Sequence, residues 1–178
     1  MKSLGGVFAG LVLFALAGLV AVWVWTHPRF LPPDRVPLTG KVDHILIEKA
    51  DRRMTVFRAG KPLQTYQIAL GFSPYGDKTR QGDGRTPEGV FQVDRRNAQS
   101  AFHLSLGLDY PRPADRARAT AAGVDPGGDI MIHGQPNGRA DGTMLTHDWT
   151  AGCIALSDQE IEELFAAVDI GTPVEIRP

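Results

Sequence analysis

The 178-residue chain contains a single cysteine, Cys153, in the segment Thr150-Ala151-Gly152-Cys153-Ile154. A thiol with an ordinary pKa of about 8.5 is only slightly ionised at neutral pH, so a nucleophilic cysteine needs a neighbouring base or cation. His133 is the candidate base, placed after the apolar Ile130-Met131-Ile132 and before Gly134. If strands at Ile130–Ile132 and Ile154–Leu156 lie side by side, imidazole and sulfur meet although they are remote in sequence. Gly152 has no Cβ, so the chain can turn there and aim its own N–H and that of Cys153 at a developing oxyanion. Taken singly, a cysteine between Gly and Ile reads as a small buried apolar residue, and a histidine after an apolar triplet as structural. The pair carries the chemistry.

Other chemistries find less support. The five histidines and one cysteine form no C-x-x-C, H-x-x-x-H or H-E-x-x-H spacing, so neither a metal nor another cofactor is expected. Nineteen basic against twenty acidic residues leave a net charge of −1, which gives no electrostatic footprint for nucleic acid. One cysteine makes no internal disulfide, and nothing in the composition fixes an oligomeric state.

The elements that must position the pair follow from periodicity. His44 to Lys49, Met54 to Arg58 and Gln64 to Gly71 alternate as strands, with turns at Ala50-Asp51-Arg52-Arg53 and Ala59-Gly60-Lys61-Pro62, and form a meander with one buried face. Phe72 to Glu88 has no apolar period and is a long loop of the kind that carries function. Strands are expected at Val90–Val93 and Phe102–Leu106, and a short helix over Ala114–Ala122 closed by Gly123. His103 reads as structural. Ser157 with Glu160 makes a capping box before apolar positions 161, 164, 165 and 168, which fixes a second helix. Thr172 to Ile176 closes as a strand. The sum is a mainly β domain, a sandwich or partly closed barrel with one or two short helices.

Residues 1–25 and 26–41 precede that domain, which runs over 42–178. From Leu4 to Trp25 no residue is charged, Lys2 stands before the run and Trp23 and Trp25 end it. Such a run spans about 30 Å of hydrocarbon as a single helix, and it is expected to be an uncleaved signal anchor, with a cleaved signal peptide as the alternative. Pro28, Pro32, Pro33 and Pro37 make the next segment an extended spacer.

His133-Gly134, the loop, and Thr150-x-Gly152-Cys153 resemble the signature of the YkuD-type L,D-transpeptidase catalytic domain. Gly82-Asp83-Gly84-Arg85-Thr86-Pro87-Glu88-Gly89 is similar to that family's G-D-x-x-T-P-x-G segment. The resemblance covers roughly Asp43 to Arg177 and implies a YkuD-like β-sandwich. Peptidoglycan stem peptides are the implied substrates, cleaved after the L-configured third residue through a Cys153 thioester. It implies His133 as base, the Gly134 carbonyl as its orienting partner, and Gly152 and Cys153 as oxyanion donors. Arg85 and Thr86, with Thr150, Trp149 and His147, are the expected groove residues, although Trp149 reads first as core packing. Asp148 and His147 are alternatives for orienting His133. Ala151 and Ala155 stand where many members carry His and Arg or Asn, and Asp148-Trp149-Thr150 is more similar to a branch that includes hydrolases of peptidoglycan links. Transpeptidation, hydrolysis and a catalytically silent wall-binding module all remain open, the first favoured, with the domain on the outer, periplasmic side of the membrane.

Overall fold

The computed structural model of the chain describes residues 37–139 and 144–178. The expected membrane segment Leu4–Trp25, and the spacer as far as residue 36, lie outside the described residues. Among the described residues no helix is long and apolar enough to cross a membrane. The described residues form eight strands and two helices in chain order: β1 (His44–Glu48), β2 (Arg53–Arg58), β3 (Lys61–Gln67), β4 (Gly89–Ser100), β5 (His103–Leu108), α1 (Pro113–Ala121), β6 (Met131–His133), β7 (Ile154–Ala155), α2 (Asp158–Ala167) and β8 (Pro173–Arg177).

The strands make one sheet in the order β3-β2-β1-β8-β4-β5-β6-β7. β1 with β8 and β6 with β7 are parallel, and the other pairs are antiparallel. The two ends of this order nearly meet. Just past β3, Ala69 exchanges backbone hydrogen bonds with Ala155 of β7, at 3.0 and 2.8 Å. Two residues on, Gly71 bridges Thr150. The sheet is therefore a partly closed barrel whose seam runs beside Cys153.

Alternation explains the inner face. Ile45 and Ile47 of β1, Met54 and Val56 of β2, and Val174 and Ile176 of β8 are buried, with every second residue turned outward. α2 closes the core with Ile161 and Leu164. Its first turn holds the expected box, in which Ser157 Oγ accepts from the Glu160 N–H at 3.4 Å and Glu160 Oε2 from the Ser157 N–H at 3.0 Å.

β4 is longer than the alternation suggests. Val90–Val93 was the expected strand, but pairing continues to Ser100 through Asp94-Arg95-Arg96-Asn97-Ala98-Gln99. Both faces of that extension are largely exposed, so no apolar signal marks it. The extension matters because it carries β5 and β6, and with them His133.

Candidate active site

β6 and β7 run parallel with Ile132 opposite Ile154 and His133 opposite Ala155. One step back, Met131 stands level with Cys153, and its N–H donates to Cys153 Sγ at 3.4 Å. Residues 131 and 133 share a face, so Cys153 and His133 are diagonal neighbours on adjacent strands. Both line one cleft of about 250 Å³, together with Ser105, Asn97, Phe102 and Asp129. The packing of β6 against β7 thus places the two residues in one site.

His133 is only 3% exposed. Its Nδ1 lies 2.7 Å from the carbonyl oxygen of Gly134 and donates to it, which leaves Nε2 as the unprotonated nitrogen. The ring packs on Phe102, with centroids 4.6 Å apart, and meets Trp149 edge-on at 5.7 Å. Burial pushes the imidazole pKa below its ordinary value, and the Gly134 bond offsets only part of this. A neutral, base-competent ring results. Gly134 itself leaves no room for a side chain, since a Cβ there would stand 2.6 Å from Asp158 Oδ1.

The thiol of Cys153 donates to the Asp129 carbonyl at 3.4 Å. Burial pushes its pKa up. The Met131 N–H opposes that rise, the Asp129 carboxylate adds to it, and the more distant Lys78 and Arg95 charges lower it. In the resting site sulfur and imidazole are both neutral, and the sulfur is turned toward the β6 backbone.

The turn that presents Cys153 is built by Thr150. Its Oγ1 donates to the Cys153 carbonyl at 2.7 Å and accepts the Gly152 N–H at 3.1 Å. The Gly152 donor, expected to serve an oxyanion, is engaged inside the turn, which leaves the Cys153 N–H as the donor to consider. Gly152 sits at φ +136°, and a Cβ there would stand 2.7 Å from the Arg85 carbonyl oxygen, so only glycine fits. Thr150, expected at the groove, is 4% exposed and acts from within. Asp148 does not approach His133. It accepts from the Arg52 guanidinium at 2.8 and 3.0 Å and from the Leu70 N–H at 2.9 Å, pinning the turn to the seam. His147 is exposed, and Trp149 packs against His133 and Phe102.

Comparison with known proteins fits this geometry. The model of the YkuD family, the L,D-transpeptidase catalytic domain, matches residues 42–176. The chain belongs to this family. YafK of Escherichia coli (strain K12) is 28% identical over 137 residues, covering 74% of this chain and 49% of that protein. YqjB of Bacillus subtilis (strain 168) is 25% identical over 162 residues, covering 89% and 83%. Among solved structures, the helical cell shape determining protein Pgp2 from Campylobacter jejuni is 27% identical with a TM-score of 0.61, covering 82% of this chain and 52% of that one. The chain spans about half the length of YafK and of Pgp2.

In this YkuD domain the Gly82–Gly89 segment is held by charge. Asp83 accepts from Lys78 Nζ at 2.8 Å and from the N–H groups of Thr79, Arg80 and Arg85 at 2.8–3.1 Å. Burial disfavours its ionisation, but these donors more than offset it and hold the carboxyl at about 2. Lys49, 2% exposed, donates to the carbonyls of Gly76 and Thr86 and to Glu88. Thr86, expected to face substrate, is fully buried, and its Oγ1 accepts the Gly71 N–H at 3.2 Å. Arg85 is the member that remains outward. It lines a cleft of about 540 Å³ with Arg80 and Arg118, while its carbonyl lies under Gly152. Sequence reasoning missed Lys49, Lys78 and Asp129. Asp83 lay within the quoted motif and was the one signal available.

Proposed function

We propose that the domain is a peptidoglycan-remodelling L,D-transpeptidase that acts on stem peptides through a Cys153 thioester. The observation that carries this reading is the placement of Cys153 and His133 in one cleft, with His133 Nδ1 fixed by the Gly134 carbonyl so that Nε2 is free to take a proton. The sulfur attacks the carbonyl carbon of the scissile amide as its proton passes to Nε2. The Cys153 N–H donates to the oxyanion, a role in which a single donor is typically worth about 3 kcal/mol. The C–N bond then breaks and the imidazolium returns the proton to the leaving amine. A second amine, losing its proton to Nε2, attacks the thioester and expels the thiol. No metal or cofactor takes part in this scheme.

If water replaces the second amine, the same site is a hydrolase of peptidoglycan or of protein–peptidoglycan links. Ala151 and Ala155, with the Asp148-Trp149-Thr150 form, support that second reading. The substrate places the domain in the cell envelope, with Leu4–Trp25 as the proposed membrane anchor. Arg85 and Trp149 are the proposed groove residues.

Purified muropeptides decide between the outcomes. Cross-linked dimers are expected with the wild type and none with Cys153→Ala, while His133→Ala lowers the rate by a factor of about 10²–10⁴. Shortened monomers without dimers establish the hydrolase. An unreactive Cys153, seen by intact mass after treatment with a carbapenem and with a small thiol reagent, leaves only a wall-binding module.

A further inference from the structure

Arg95 does not line the cleft, and the steps above do not use it. On β4 it stands opposite Gly107 of β5, and Gly107 stands opposite Met131 of β6. Cys153 is level with Met131 on the next strand, so these four positions form one row across the sheet. The neighbouring row, two residues along, is Asn97, Ser105 and His133. At 107 the row has no side chain, and a Cβ there would stand 2.5 Å from Arg95 Cγ. The arginine lies across β5 through that space. Its Nη2 reaches Asp129 Oδ1 at 2.9 Å and Met131 Sδ at 3.7 Å.

Asp129 and Met131 are the two residues whose backbone holds the sulfur, the first accepting from the thiol and the second donating to it. Asp129 does so from a left-handed conformation, φ +54°. Its carboxylate is 90% exposed, and Arg95 is its partner. The charges that act on the sulfur are Asp129 before β6, Lys78 of the 72–88 loop and Arg95 of β4, whose Nη1 also pairs with the Asp94 carboxylate at 3.0 Å, and His133 shares the cleft.

We propose that Arg95 is a positioning residue for the nucleophile: reaching across the bare position at Gly107, it holds Asp129 and Met131 as the cradle of the Cys153 sulfur and neutralises the adjacent carboxylate. The proposal rests on Cys153 being the nucleophile. Alkylation reads the sulfur directly and needs no turnover, so the two ideas fail separately.

The test is the rate of Cys153 alkylation by iodoacetamide in the full chain, followed by intact mass across neutral and alkaline pH. In Arg95→Ala the Asp129 carboxylate is unopposed, and the profile moves to higher pH by about half a unit, a roughly threefold slower reaction at neutral pH. Arg95→Lys recovers part of the shift. In an Asp129→Asn background Arg95→Ala has a smaller effect, because the two residues act as a unit. Gly107→Ala, which displaces the arm and changes no charge, also alters the profile. An Arg95→Ala profile superimposed on the wild type overturns the proposal, as do Arg95→Ala and Asp129→Asn shifts that simply add. Should Arg95→Ala fail to fold, a wild-type profile in Gly107→Ala overturns it instead. A wild-type sulfur inert at every pH overturns the nucleophile reading and the positioning role with it.

Discussion

Two residues of this fold, Leu106, fully buried on β5, and Asp83, half-buried in the 72–88 loop, are held in different ways. Leu106 is surrounded by apolar side chains of the barrel and α2, and its contribution is spread over many weak contacts. Asp83 makes a few directed bonds to Lys78 and to three amides of its own loop. The barrel wall tolerates gradual change because no single contact dominates. The loop that supports the Gly152–Cys153 turn depends on each partner, since removing one leaves a buried charge or donor unmet. Scaffold and support therefore fail differently.

The largest effect expected is that of Asp83→Ala. It strands the Lys78 ammonium, 3% exposed, and is expected to cost about 3–5 kcal/mol. Hydrogen exchange should show the loss at the Thr79, Arg80 and Arg85 amides, with the central strands still protected. Equal loss across the sheet would show that loop and wall are one cooperative unit. Leu106→Ala is the counterpart, with about 2–5 kcal/mol lost in urea unfolding and protection falling throughout the barrel.

Acid sharpens the same contrast. The folded pKa of Asp83 lies below its unfolded value of about 4, so its contribution is complete above that pH and is lost as the pH falls through about 2. The loss, about 2–3 kcal/mol, should appear in the loop amides before the sheet melts. No acid-sensitive exchange at Thr79 or Arg80 would count against the ion pair as the loop's anchor.

The smallest change is Thr150→Val. Shape is kept, but the Gly152 N–H loses its acceptor and the Cys153 carbonyl its donor, at a cost of about 1–3 kcal/mol. Steady-state kinetics should show kcat falling more than KM rises, because the turn that aims the sulfur is loosened while the groove is intact. A change confined to KM would return Thr150 to the role of a substrate contact.

The wall was legible because burial on one face writes a period of two into β1, β2 and β8, and the Ser157–Glu160 box marks α2 without ambiguity. That Cys153 and His133 would share a cleft was legible because Cys153 is unique and His133 ends an apolar run. The polar extension of β4 left no period to read, since neither face is buried. The anchoring roles of Lys49 and Lys78 were hidden for a related reason. A lysine in a loop or at a strand end is normally solvated, and only the approach of carbonyls and carboxylates from distant positions makes it structural. Thr86 and Thr150 were expected at the groove, but both are buried and the bonds they make join them to Gly71, Gly152 and Cys153.

The bridge between Ala69 and Ala155 joins distant stretches of the polymer, and contacts of that span are disfavoured until much of the chain is already ordered. Cys153 lies two residues from that closure. A half-formed molecule thus carries Cys153 apart from Asp129, Met131 and His133, and the cleft that holds all four exists only when the circumference is complete.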